Sequence, residues 1–315
     1  MKQSDPKPHH RRILEEFTRR AEAFATAPPI TDSEALNLLV RMSGAGPQDT
    51  ALDVACGAGL VVCALAPLVQ HATGIDLTPA MIERAQALQE EKGLTNITWQ
   101  VGDVLPLPYA DKSFSIVTCR YALHHFEDPA AVLAEITRVC APNGKVVLVD
   151  MNASAEPEKA AAFNRMEQLR DPSHVRALPL EALEELSRQA GLQTLERTFY
   201  DLDWELEPVL QGSSPNPGDF EQIPKMFKED LERNEMSVHV RRQKSKIWFT
   251  YPIVVIVAQK PVAQADAAFR KTQLAAADSK ANPNHESPRI RVTVRACSRG
   301  DWRPSTDSRY STLTR

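Results

Sequence analysis

Between residues 50 and 150 short apolar runs alternate with longer stretches whose apolar positions fall three and four apart. The runs at 51–55, 72–75, 97–101, 115–119 and 145–150 have the length of strands. A helix to residue 69, then helices at 79–92 and 129–140, fill the gaps between them. Strand, helix, strand at this spacing predicts a parallel sheet with helices on both faces. Upstream, Ile13, Leu14, Phe17, Ala21 and Phe24 mark one amphipathic helix over 11–27, stopped by Pro28 and Pro29. Thr31 or Asp32 caps a second, which runs through Leu36, Leu38, Leu39 and Val40 and ends at Gly44 and Gly46. Downstream lie a helical stretch at 160–169, a helix at 180–189 closed by Gly191, a strand-like run at 194–203 and a strong strand at 247–259. The pattern predicts a seven-stranded α/β sheet whose last strand is antiparallel, carrying two cap segments, 150–180 and 205–246. Residues 1–10 read as a flexible N-terminus, 11–260 as one domain, and 261–315, which loses periodicity, as a disordered basic tail.

Composition narrows the function. The 315 residues carry a net charge of −4, so no global positive field exists to hold a nucleic-acid backbone. The longest apolar run, 253–258, is far too short to cross a bilayer, and no leader pattern opens the chain, so membrane insertion and secretion are not expected. Cys56, Cys63, Cys119, Cys140 and Cys297 are odd in number and form no CxxC pair, which fits a reducing, cytoplasmic compartment. His71, His124, His125, His174 and His239 show no i, i+4 pairing with carboxylates, so a metal-independent chemistry is the default. The tail holds seven arginines and two aspartates over 289–315; a non-selected extension is the preferred reading over an arm for an acidic surface.

The most informative stretch is Ala51-Leu52-Asp53-Val54-Ala55-Cys56-Gly57-Ala58-Gly59-Leu60, a buried strand that runs into a glycine turn and then a helix. Such a turn lets a ligand lie against bare backbone amides at the carboxyl end of the first strand. A dinucleotide fingerprint would need a third glycine where this chain has Val62. Asp76 ends the second strand, where a carboxylate can accept from a ribose diol, and Asp103 after Gly102 ends the third, within reach of an adenine amino group. Either acid alone could simply cap a helix or loop. Glycine, acid and acid on three successive strand ends make a specific arrangement.

Asp53 to Gly59, Gly74-Ile75-Asp76-Leu77-Thr78-Pro79-Ala80-Met81-Ile82, Gly102-Asp103-Val104 and Arg120-Tyr121-Ala122-Leu123-His124-His125-Phe126 together resemble the successive motifs of class I S-adenosylmethionine-dependent methyltransferases. The nearest group is the small-molecule enzymes similar to those of ubiquinone and menaquinone biosynthesis. The resemblance covers about residues 10 to 260 and extends to Pro142-Asn143-Gly144, where Asn143 stands in a turn that asks for left-handed geometry. It implies a Rossmann-like sheet and S-adenosyl-L-methionine as the methyl donor. It further implies that the backbone from Ala55 through Cys56 and Gly57 to Gly59 holds the methionyl part, Asp76 the ribose, Leu77 and Met81 the adenine face, and Asp103 with Val104 its edge. Asp53, Gly102 and Arg120 complete the expected cofactor set. Phe17 and Phe24 on the first helix acquire a lid role by the same resemblance, ordinary packing being the alternative for at least one of them.

Methyl transfer needs an aligned nucleophile, a dry site and a base if the nucleophile is weakly acidic. His124 and His125 follow the fourth strand and face the crevice, and either is a candidate base, against a purely structural role for the pair. His174 sits in the polar turn Arg170-Asp171-Pro172-Ser173-His174-Val175-Arg176, where it or Arg170 would touch the acceptor unless the turn only caps itself. Tyr200, Trp204 and Trp248 are candidates for apolar walls around an aromatic or lipid-like acceptor. The charged helix at 225–242 reads as a solvated face, with a homodimer contact as the alternative. The expected activity is methylation of oxygen or carbon on a small molecule such as a quinone precursor or secondary metabolite. The alternatives are a nicotinamide-dependent oxidoreductase and a non-catalytic S-adenosylmethionine-binding protein.

Overall fold

The computed structural model describes residues 7–262; the tail beyond, residues 1–6 and the side chain of Phe24 lie outside the described residues. Strands β1 (Thr50–Val54), β2 (His71–Asp76), β3 (Ile97–Val101), β4 (Phe114–Arg120), β5 (Cys140–Met151), β6 (Gln193–Glu205), β7 (Arg241–Gln243) and β8 (Lys246–Gln259) form one sheet. Its order is β3-β2-β1-β4-β5-β8-β6, with β7 turned back on β8 as a short hairpin. The first five of these are parallel to their neighbours, and β8 is inserted antiparallel to both β5 and β6. The seven expected strands and the antiparallel last one are present; β7, three residues long, is an eighth that the apolar pattern does not mark because Arg241, Arg242 and Gln243 are all polar.

Burial on both faces explains why the central strands read as unbroken apolar runs. Leu52, Val54, Val117, Val146 and Leu148 point to one face, packed by helices α5 (Pro129–Val139) and α7 (Leu180–Gln189). Ala51, Ile116, Val147 and Val149 point to the other, covered by α2 (Ser33–Ser43), α3 (Leu60–Leu65), α6 (Pro157–Arg170), α8 (Leu206–Gln211) and α9 (Gln222–Arg233). The period-2 alternation of strand side chains divides the core into these two layers. Asp32 is the N-cap of α2, its side chain accepting from the backbone of Glu34 and Ala35, and Gly44 closes the helix at φ 62. Asn143 does adopt the left-handed geometry its turn requires, at φ 64.

Helix α1 (Pro8–Thr26) begins three residues before the pattern places it, so residues 8–10 are helical. Proline at the first helical position costs nothing there. What orders this turn is a tertiary contact that periodicity cannot reveal: His9 is buried and its Nε2 lies 2.7 Å from the main-chain oxygen of His125. Helix α4 (Pro79–Glu91) completes the layer beside α1.

Candidate active site

The turn after β1 passes through three left-handed residues, Ala55 at φ 56, Gly57 at φ 51 and Gly59 at φ 79. At Gly59 the indole of Trp99 occupies the space a side chain would need: an added Cβ would lie 2.5 Å from the ring and 2.7 Å from the Cβ of Ala85. Gly59→Ala is therefore expected to cost about 2–4 kcal/mol, from the left-handed backbone and the displaced ring together, and urea denaturation measures it.

This turn floors a cavity at the carboxyl ends of β1, β2 and β4, roofed by α1. Of the expected cofactor residues, Asp53, Ala55, Cys56, Gly57, Asp76, Leu77, Met81, Asp103, Val104 and Arg120 line it. Gly59 and Gly102 do not; Gly59 lies behind the turn against Trp99, and Gly102 donates its N–H to the Asp76 carbonyl. Phe17, with Ile13, His9 and His10, lines the cavity from α1. Asp76 accepts from the backbone N–H of Gly57 and of Thr78, both at 2.8 Å, so it ties the glycine turn to the second strand besides facing the cavity. Burial raises its pKa against those bonds. Asp103 accepts from the Leu105 N–H and meets His10 Nδ1 at 3.5 Å, which links the third strand end to α1. Asp53 is buried and accepts from the Thr118 hydroxyl at 2.6 Å; desolvation pushes its pKa up to about 7, against that bond and the nearby Arg120 charge. The left-handed turn, with the Asp53, Asp76 and Asp103 carboxylates and the Arg120 guanidinium lining one cavity around it, fits an adenosyl ligand that carries an amino-acid end.

A second cavity of about 290 Å³ abuts the first at a wall formed by Phe17, Ile30, Tyr121 and His125, which line both. One side is apolar, with Met151, Leu202, Trp204, Val209 and Ile253; the other carries Arg20, His124, Arg170, Asp171 and His174. The cap segments supply Met151, Arg170, Asp171, His174 and Val209, and α1, β6, β8 and the turn after β4 supply the rest. Of the three aromatic residues expected as walls, Trp204 lines the cavity, whereas Tyr200 is engaged with Tyr121, hydroxyl to hydroxyl at 2.5 Å, and Trp248, paired with Glu205 of β6 and Arg241 of β7, does not line it.

The three candidate histidines come together here, with ring centroids 4.2 Å apart for His124 and His125 and 5.4 Å for His124 and His174. Their partners differ. His124 Nδ1 lies 2.5 Å from Asp150 Oδ1, and its backbone N–H donates to the other oxygen. Burial alone would lower the pKa of His124, but the Asp150 carboxylate outweighs it and holds the imidazole above its ordinary range. Its Nε2 makes no protein hydrogen bond among the described residues. His125 donates through Nδ1 to the Ser173 carbonyl at 3.0 Å, and burial followed by the His124 charge brings its pKa down to about 3. His174 donates through Nε2 to Asn164 Oδ1 at 2.8 Å, and burial brings it down to about 4, so both stay neutral. Arg170 lines the cavity but is committed to Glu167, Nη2 to Oε2 at 2.5 Å, and Tyr251 donates its hydroxyl to the same carboxylate. Arg20 meets Asp171 at 3.1 Å.

Asp150, Arg20, Glu167 and Tyr251 were absent from the sequence-derived set. Asp150 carries the same signal as Asp76 and Asp103, an acid at the carboxyl end of a parallel strand, and that rule extended to the fifth strand finds it. Arg20 and Tyr251 are paired across separate elements and leave no local signal, and Glu167 pairs with Arg170 at a spacing that is ordinary on any helix.

The known proteins that this chain resembles share this arrangement of elements. The family model described as methyltransferase domain matches residues 52–148. The uncharacterized methyltransferase YcgJ of Bacillus subtilis (strain 168) is 34% identical over 201 residues, which is 63% of this chain and 79% of that protein. Its crystal structure superimposes with a TM-score of 0.68 over 73% of this chain and 99% of that one, at 28% identity. The ubiquinone/menaquinone biosynthesis C-methyltransferase UbiE of Bdellovibrio bacteriovorus is 34% identical over 128 residues, covering 40% of this chain and 54% of that protein. Among the described residues no helix is long and apolar enough to cross a membrane. The match to YcgJ over four-fifths of its length displaces the nicotinamide-dependent alternative, and the chain belongs to the class I S-adenosylmethionine-dependent methyltransferases.

Proposed function

We propose that the protein methylates a carbon or oxygen of a small phenolic or enolic acceptor of the quinone-precursor kind, with His124 as the general base. The Asp150–His124 pair in the second cavity carries this reading, because a carboxylate that fixes the tautomer and raises the basicity of an imidazole is what a weakly acidic hydroxyl requires. The relatives that act on naphthoquinones and on ubiquinone or menaquinone precursors support the acceptor class.

S-adenosylmethionine, bound in the first cavity, supplies an electrophilic methyl group on a sulfonium. Asp76 binds the ribose through its remaining lone pairs, Met81 and Leu77 pack on the adenine, and Asp103 with Val104 meets its edge. On the acceptor side, His124 takes the hydroxyl proton at Nε2 while Asp150 holds Nδ1–H. His125 and His174, both neutral, orient the acceptor and take up no proton. The apolar wall and the α1 roof exclude water, so the anion left on the acceptor is desolvated and reactive.

Two measurements test this. Purified protein incubated with methyl-labelled S-adenosylmethionine should label 1,4-dihydroxynaphthalene and related hydroquinones and leave aliphatic amines unlabelled; labelling of amines alone overturns the acceptor class. Asp76→Ala should weaken S-adenosylhomocysteine in calorimetry by about 1–3 kcal/mol and lower the melting temperature by a few degrees, since the Gly57 and Thr78 N–H groups lose their acceptor as well. Unchanged affinity removes Asp76 from the cofactor site.

A further inference from the structure

Strand β6 ends the sheet, and among the described residues no strand pairs with its outer edge. That edge is 13 residues long and contains neither proline nor lysine, two residues that ordinarily blunt an uncovered edge. Its backbone therefore offers a row of open donors and acceptors. Arg197, Phe199 and Asp201 point to one face of the sheet, opposite Ile256, Val254 and Pro252 of β8. Phe199 is 52% exposed, which is unusual for a large apolar side chain in a strand. Glu184 of α7 meets Arg197 through Nη1 alone, at 2.6 Å, so the rest of that half-exposed guanidinium is open. Asp201 is exposed and makes no ion pair among the described residues, whereas Asp203 is held by Arg241 and Thr250.

Such an edge fits a second copy of itself. Antiparallel pairing about a two-fold axis normal to the sheet sets residues equally distant from one central residue opposite each other, on the same face. Centred on Arg197 or on Asp201, this pairing opposes like charges; centred on Thr198, it sets Arg197 against the partner's Phe199. Centred on Tyr200, it sets Phe199 against the partner's Asp201, and the acid it offers Arg197 is the partner's Asp203, already engaged. Centred on Phe199, it brings the two Phe199 rings together and sets Arg197 against the partner's Asp201 on either side of them. We propose that the protein forms a homodimer through β6 in this last register, the sheet running on from one copy into the other. Aromatic and opposite-charge pairs directly across two strands are the favourable ones, and this register makes both at once. The other face of β6 carries Leu202 and Trp204 to the second cavity, so the contact also holds that wall. An edge contact of this length lies at the low end of specific interfaces, which sets a micromolar rather than a nanomolar dimer.

Sedimentation equilibrium of the full chain between about 1 and 200 µM should show reversible dimerisation with a Kd of about 1–50 µM. Phe199→Lys, Arg197→Asp and Asp201→Arg each oppose like charges across the axis and should each weaken the dimer about 10-fold or more. An equimolar mixture of Arg197→Asp and Asp201→Arg should recover the wild-type affinity, because every aspartate then faces an arginine on the other copy. The reversed pair within one chain, Arg197→Asp with Asp201→Arg, should dimerise for the same reason, and it decides the matter if a single variant does not fold. A wild type that stays monomeric to about 200 µM overturns the proposal. So does a dimer that the single variants leave intact, which places the contact on another face such as α9, and so does a loss that neither the mixture nor the reversed pair restores.

Discussion

Asp150→Asn is expected to slow methyl transfer by about 100-fold or more while leaving S-adenosylhomocysteine affinity within about twofold. Asp150 Oδ1 accepts from His124 Nδ1–H and from the Met151 N–H, and Oδ2 from the His124 N–H, so an amide of the same shape with its oxygen at Oδ1 keeps two of the three bonds and loses the one from the His124 N–H. It removes the charge that sets the imidazole's basicity. The pH profile separates this from loss of structure. In the wild type His124 accepts a proton only once it is neutral, so turnover should rise with pH through a value above about 6.5, the ordinary imidazole pKa. In Asp150→Asn the burial that depresses His124 is opposed only by the weaker Glu167 and Asp171 charges, so the limb should move to lower pH while the plateau falls. Single-turnover labelling of 1,4-dihydroxynaphthalene between pH 5 and 9 reads both effects. Full turnover with an unmoved limb would remove the dyad from the reaction.

The first cavity was legible because the residues that line it obey local rules. A glycine turn after a buried strand, then acids at the next two strand ends, can be read from spacing alone, and ten of the twelve expected residues line the first cavity. The two that do not, Gly59 and Gly102, serve the backbone rather than the ligand face. The second cavity was legible only as a position. His124, His125 and His174 converge, but nothing in His124-His125 says which ring meets Asp150, 26 residues away. Arg170, read as a hand for the acceptor, is held by Glu167 three residues before it, a spacing that on a helix is as ordinary as any surface pair. Burial makes this pair unusual, and burial comes from Tyr251 in the last strand and from α1, which the pattern of 157–176 cannot contain.

That buried pair carries the largest expected stability effect. Glu167→Ala should destabilise the fold by about 3–5 kcal/mol at pH 7, because it leaves the largely buried Arg170 guanidinium and Tyr251 hydroxyl without their acceptor. The cost is that of an orphaned charge, so removing the charge as well should recover most of it: Glu167→Met combined with Arg170→Met replaces the ion pair by packed apolar volume. Urea denaturation of the three proteins measures this, and a double variant no more stable than Glu167→Ala would show that the charge is not the cause. Burial raises the pKa of Glu167, but the Arg170 charge and hydrogen bond outweigh it, leaving the carboxyl below its ordinary value. Its stabilising contribution is therefore complete above about pH 4.5 and is lost as pH falls through the folded-state value, so the gap between wild type and Glu167→Ala should narrow in acid. The double variant also decides what Arg170 is for. If it folds and still methylates the hydroquinone probe at the wild-type rate, Arg170 serves only the wall; if it folds, binds S-adenosylhomocysteine normally and raises KM for the probe with kcat kept, the guanidinium faces the acceptor while Glu167 holds it still.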